Sequence, residues 1–262
     1  QQRQVRWLFF TSIVLGLQLL ASHPQISYYT ILFLSAYFLA QELPMVKSGR
    51  DGVNIFGYLG LFILLGIGIG MIQMLPGIEL TLLSERGSGV SYGFATKYPY
   101  YLPDLLTFFY PYINGDPGRG TYLVPGIFWE DYGYVGLLPL FFAGYAIFTT
   151  FRKNRHTRFF AISLLFSLIL MLGDQAVLYK VLFYALPGMN YFRFSTRFIF
   201  FVDLSLCMLA GVGLAQGLKK RSYLAYIVLI GLTVADLYLM QKRQNPIASR
   251  SEWESLPSTA LL

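Results

Sequence analysis

Two arginines four residues apart, Arg193 and Arg197, lie in the stretch Pro187–Phe201 (PGMNYFRFSTRFIFF), where a polar loop gives way to an apolar run. A guanidinium is a planar fork that can hold two phosphate oxygens at once. Ser195 and Thr196 are good N-cap residues. A helix starting there puts Arg197 in its first turn and adds free N–H groups and the positive end of the dipole to both charges. The chemistry that follows is recognition of a phosphate at a membrane surface. The plainer alternative is a pair of interfacial arginines reaching toward water or nearby acids. His23, fixed by Pro24 at the end of another apolar run, could bind a phosphate, ligate a metal, move a proton or cap a helix. Glu130 and Asp131, with Glu79 and Glu85 upstream, could deprotonate a hydroxyl or hold a divalent metal ion against a diphosphate, or could simply be solvated partners of Arg86 and Arg119. Neighbouring side chains diverge, so at most one of Glu130 and Asp131 faces a given site. Asp203, less than two turns after Arg197, is placed to orient that arginine. Asp203 and Asp236 both need partners, because they interrupt apolar runs.

The elements that must position these groups are membrane helices. Of 262 residues, 55% are hydrophobic and only 13% charged, a composition that excludes an ordinary soluble domain. Seven apolar runs stand out, roughly 7–21, 26–40, 55–75, 134–151, 159–172, 198–218 and 224–240. The fold class is therefore an all-α polytopic membrane protein of about seven transmembrane helices, with interfacial or re-entrant helices in the outer loops. Residues 1–240 form the transmembrane core and 241–262 the start of an outer C-terminal segment. The net charge of +7 comes from short basic clusters between apolar runs, which is membrane topology and not a nucleic-acid surface. Alternate loops hold eleven of the twenty basic residues, at Arg3/Arg6, Lys47/Arg50, Arg152–Arg158 and Lys219–Arg221, with only Glu42 and Asp51 beside them. Those loops are expected in the cytoplasm, with the N-terminus inside and the C-terminus outside.

The long loops then share the outer side. The loop from Pro76 to Tyr132 carries the acids and many tyrosines. Within it, Leu102–Ile113 reads as an interfacial helix, and Val177–Leu186 reads as a segment lying on or dipping into the membrane. Gly66, Gly68 and Gly70, like Gly211, Gly213 and Gly217, lie inside apolar runs and signal close helix packing, not a dinucleotide fingerprint. The lone Cys207 excludes a disulfide and reads as a small helix residue.

Four short motifs between the spans, in this order and spacing, resemble the bacterial YfhO-type membrane proteins. They are His23-Pro24-Gln25, Ser84-Glu85-Arg86, Tyr134 to Leu140, and Phe192-Arg193-Phe194-Ser195-Thr196-Arg197-Phe198. The resemblance covers most of the chain. It implies a lipid-dependent glycosyltransferase of the GT-C class in the bacterial plasma membrane, moving a sugar from a polyprenyl-phosphate carrier to a cell-envelope polymer on the outer face. Arg193, Arg197 and His23 would bind the carrier phosphate, and Glu130 or Asp131 would serve acid–base or metal work. The family's usual catalytic acid lies on an early outer loop, so this chain is expected to be the middle of a longer protein that lacks it. A lipid or anion transporter is the competing class; it should show inverted repeats and helices broken at mid-membrane.

Overall fold

The computed structural model describes residues 2–21, 23–218 and 223–242, and among these there is helix and no strand. The α-helices are α1 (Gln2–Leu20), α2 (Pro24–Glu42), α3 (Gly49–Leu83), α4 (Tyr92–Ala95), α5 (Leu137–Thr150), α6 (Arg155–Met171), α7 (Val177–Ala185), α8 (Ile199–Gly217) and α9 (Tyr223–Gln241). The seven apolar runs become α1, α2, α3, α5, α6, α8 and α9. By length and composition α3, the segment Ser195–Gly217 and α9 are each sufficient to cross a membrane; α5, with 14 residues, is short of the roughly 20 a span needs. Large apolar side chains face outward along these helices, Ile72 at 83% and Phe148 at 92% exposure, as lipid contact allows and water does not. The basic turn at 219–221 and the expected outer segment from 243 onward lie outside the described residues.

Local chemistry starts the helices where polar residues interrupt the apolar runs. The Ser48 hydroxyl accepts from the Asp51 N–H at 3.3 Å while the Asp51 carboxylate accepts from the Ser48 N–H at 3.0 Å, a reciprocal cap for α3. Asn154 caps α6 by accepting from the His156 N–H at 2.8 Å. α3 was expected to end before Pro76, but it continues to Leu83. A proline forfeits one backbone hydrogen bond, whereas ending the helix in an apolar medium would strand several, so the helix runs on. The segment 102–113 also differs from expectation. Leu102–Phe108 is a 3-10 helix, drawn tight because the Asp104 carboxylate accepts from the Tyr101 N–H at 2.8 Å. α7 is a nine-residue helix that buries Tyr179 and Phe183 and is too short to span.

Two helix groups form. In the first, α1 and α3 run side by side with their backbones close at glycines: a Cβ on Gly66 would lie 2.5 Å from Leu15, and one on Gly70 would lie 2.5 Å from Leu19. In the second, α5 meets α8 at Gly213, where a Cβ would overlap the Phe142 carbonyl. Gly68 and Gly211 face open space, so the packing role expected of all six glycines holds only for those turned toward a partner helix. α2 joins the groups through rings. Tyr29 stacks on Phe198 at 4.4 Å between centroids, Phe33 on Phe201 at 4.7 Å, and the Tyr37 hydroxyl pairs with His156 Nδ1 at 2.8 Å. α9 buries no residue. It is tied on by Asp236, whose carboxylate accepts from the Tyr134 hydroxyl at 2.7 Å and the Leu137 N–H at 3.0 Å, capping α5 from a neighbouring helix.

Gly213→Ala is expected to lower the thermal midpoint in detergent by the equivalent of about 1–3 kcal/mol through overpacking. Gly211→Ala, two residues away on the open side, should be neutral or slightly stabilising, as its helix propensity alone dictates. Equal losses in the two variants would remove the close-packing account.

Candidate functional site

The loop joining α7 to α8 returns to the first group through α2. Gln25, in the first turn of α2 and only 3% exposed, donates from Nε2 to the Arg193 carbonyl at 2.7 Å and to the Tyr29 hydroxyl at 3.1 Å. Its Oε1 accepts from Arg197 Nη1 at 2.6 Å. The other edge of the same guanidinium faces Glu130. Nη2 donates to Oε1 at 2.9 Å and Nε to Oε2 at 3.1 Å, a two-pronged pair whose side chains are 19% and 23% exposed. A surface ion pair contributes about 0–1 kcal/mol; this one is less hydrated and held on two sides, so its geometry is fixed.

Arg193 is held differently. Its guanidinium lies 4.4 Å from the centre of the Phe194 ring and 5.9 Å from that of Phe94, and it makes no ion pair among the described residues. Arg197 approaches the Phe194 ring at 5.2 Å, and Arg86 approaches Phe94 at 6.0 Å. The order is therefore Arg86, Phe94, Arg193, Phe194, Arg197, with cations and rings alternating. Lys97 adds a fourth cation, 5.2 Å from the Tyr98 ring, and Tyr98 and Phe194 are ring neighbours at 6.3 Å. Among the described residues these two are the non-glycine residues with positive φ, 62° and 65°. Left-handed backbone at an aromatic residue costs on the order of 1–3 kcal/mol. The strain is held by cross-links between the loops: the Phe194 N–H donates to the Ala95 carbonyl at 2.9 Å and the Val90 N–H to the Asn190 carbonyl at 2.7 Å. The result is a run of four cations along linked rings in which one acid, Glu130, is engaged.

Several sequence expectations change here. Neither Ser195 nor Thr196 caps a helix. Ser195–Phe198 form one 3-10 turn, α8 begins at Ile199, and the Ser195 hydroxyl donates instead to the Met171 carbonyl at 3.2 Å. The acid that orients Arg197 is Glu130 and not Asp203, whose buried Oδ1 has no hydrogen-bond partner. His23 is exposed, and its Nδ1 accepts from the Ile26 N–H at 3.4 Å as the N-cap of α2; the residue of that turn that reaches the arginines is Gln25. Glu130 and Asp131 face different surroundings, Glu130 the arginine and Asp131 the Tyr122 hydroxyl, which donates to it at 3.3 Å. Sequence reasoning passed over Gln25, Arg86, Phe94, Lys97 and Phe194 as site residues. Gln25, Arg86 and Phe194 do fall inside the quoted motifs, which was the available signal.

Asp131 lies in a second polar pocket. Asp104 is fixed there by the Tyr101 N–H and by Asn114 Nδ2 at 2.7 Å, and Gly126 leaves room for the Asp131 carboxylate, since a Cβ would come within 2.5 Å of Oδ2. Burial first, and the charge of Asp104 second, push the Asp131 carboxyl up to about 7, against the smaller opposing effect of the Tyr122 hydrogen bond. Burial likewise pushes the Tyr122 hydroxyl up. Among the described residues no group of three or more His, Cys, Asp or Glu is placed to hold a metal ion.

Residues 2–261 match the family model described as bacterial membrane protein YfhO. No curated protein and no solved structure matches the chain.

The Asp131 carboxyl holds its proton more tightly in the folded protein than in the unfolded chain. Its contribution to stability is therefore complete below the unfolded value near 3.8 and is lost as pH rises through about 7. The thermal midpoint should fall as pH rises from about 4 to about 7, the interval between the unfolded and folded titrations, and Asp131→Asn should flatten the fall. An Asn variant with the parent's pH slope would contradict this assignment.

Proposed function

The chain belongs to the YfhO family of bacterial membrane proteins, and on that footing we propose that it is the core of a membrane glycosyltransferase moving a sugar from a polyprenyl-phosphate carrier to a cell-envelope acceptor at the outer face. The observation that carries the reading is Arg193, a guanidinium with no anion partner among the described residues, held between two phenyl rings and next to an arginine already braced by Glu130 and Gln25. A site with its donors fixed before the anion arrives loses little on binding it.

In the reaction, the acceptor hydroxyl attacks the anomeric carbon and the bond from that carbon to the carrier phosphate oxygen breaks. Negative charge grows on the phosphate as it leaves. Arg193 and Arg197 meet that charge, Arg86 and Lys97 add to the field, and the rings keep the guanidiniums apart and aimed. The attacking hydroxyl gives up a proton. Of the two adjacent acids, Glu130 is committed to Arg197 and Asp131 opens on the Tyr122 pocket, so the acceptor would have to enter from that pocket for Asp131 to take the proton. His23 stays at the edge as the cap of the turn that presents Gln25.

Arg193→Ala in the full-length gene should abolish sugar incorporation into surface polymer at unchanged protein abundance, because the side chain contributes only ring contacts of about 0.5–1 kcal/mol each. Arg197→Ala should lose both activity and abundance, since it strips Glu130 and Gln25 of charge-assisted hydrogen bonds worth about 2 kcal/mol. Normal glycosylation in the Arg193 variant at normal abundance would refute the phosphate clamp. Normal glycosylation together with altered lipid or anion passage would favour the transporter reading.

A further inference from the structure

At the other end of α2, 17 residues and ~26 Å from Gln25 by helical rise, the first helix group opens. α1 and α3 are drawn together at Gly16, Gly66 and Gly70. The cleft left between the three helices has a volume of about 440 Å³, within the roughly 300–1,000 Å³ typical of small-molecule sites. Its walls are Trp7 and Leu8 of α1, Leu34 and Phe38 of α2, and Leu59 and Phe62 of α3. The polar groups in it are few, and two are already satisfied. Thr11 bonds back to the Trp7 and Leu8 carbonyls at 2.9 Å each, and the Tyr37 hydroxyl is taken by His156. The Tyr58 hydroxyl and the Trp7 indole are neutral, and Glu42, the last residue of α2, is the one charged group of the lining, with no ion pair among the described residues. The free carbonyls of a helix C-terminus add to its negative charge.

We propose that this cleft is a binding site for a zwitterionic aminophospholipid, with an acyl chain between the three helices and the headgroup ammonium on Glu42. A carboxylate at the edge of hydrocarbon is costly without a counter-charge, and the cation that arrives attached to a hydrocarbon chain is a lipid ammonium. The lipid phosphate would then meet Lys47, exposed in the connection to α3, and Arg50, exposed in the first turn of α3. Asp51 nearby is not a rival for the ammonium, because its carboxylate accepts from the Lys47 and Ser48 N–H groups. A purely anionic lipid would set its phosphate against Glu42 and gain only the chain contacts. The site is independent of any reaction at the arginines.

Trp7 reports on the cleft directly. With Trp129→Phe and Trp253→Phe leaving it as the single tryptophan of the chain, the protein is placed in phosphatidylglycerol vesicles. Brominated-chain phosphatidylethanolamine or brominated-chain phosphatidylglycerol then replaces the same share of lipid. The ethanolamine lipid is expected to quench Trp7 with about fivefold higher apparent affinity, the order of one partly hydrated ion pair, and Glu42→Gln should abolish that preference. Equal quenching by the two lipids would mean ordinary annular contact and would overturn the proposal, as would a preference surviving in the Gln variant. Should that variant fail to fold, brominated phosphatidylcholine, which lacks ammonium N–H donors, decides instead: it should lose most of the preference with the parent protein, and quenching equal to that by phosphatidylethanolamine would refute the site.

Discussion

The guanidinium of Arg197 joins three parts of the chain that are far apart in sequence. Glu130 comes from the long loop after α3, Gln25 from the start of α2, and the arginine from the turn before α8. One planar group satisfies two acceptors on opposite edges, so α2, the long loop and the turn before α8 cannot shift against one another without breaking charge-assisted hydrogen bonds in a poorly hydrated place. Gln25 extends the constraint by binding the Arg193 carbonyl with the remaining end of its amide. The loop carrying both arginines is thereby fixed to α2 by main chain and side chain together.

Around that junction the energetics are mostly aromatic. Tyr29 and Phe33 on α2 stack on Phe198 and Phe201, so the helix that supplies Gln25 is set at a defined height against α8. Ring contacts are well suited to a membrane protein, where apolar burial between helices yields little and shape complementarity decides packing. The glycines of α1–α3 and α5–α8 follow the same logic, removing side chains where backbones must touch. Asp236 is the polar counterpart: a carboxylate in an apolar helix is tolerated because a neighbouring helix start and a tyrosine hydroxyl meet it.

The helical membrane architecture was legible because hydrophobicity and charge spacing are local and strong, and the seven apolar runs map onto seven long helices. The errors came where distant groups compete for the same atoms. Ser195 has the chemistry of a cap, but the Met171 carbonyl, 24 residues away, takes its hydroxyl. Pro76 reads as a helix end by a rule learned in water, and an apolar medium changes the balance. In the site, the two arginines and Glu130 were visible as charges, but their pairing was not. A neutral amide such as Gln25 announces nothing in one dimension, because its importance lies in an arginine 172 residues along.

Phe194 has the wrong backbone for its type and the right ring for its neighbours. A glycine there would relieve the left-handed conformation at once, yet it would remove the face on which both guanidiniums rest. Two stacked cations at about 0.5–2 kcal/mol each are of the same size as the torsional cost of about 1–3 kcal/mol. Selection for a more robust fold and selection for a charged, ordered row of guanidiniums therefore pull this single position in opposite directions. Its occupant measures how far the protein trades conformational ease for readiness to receive an anion.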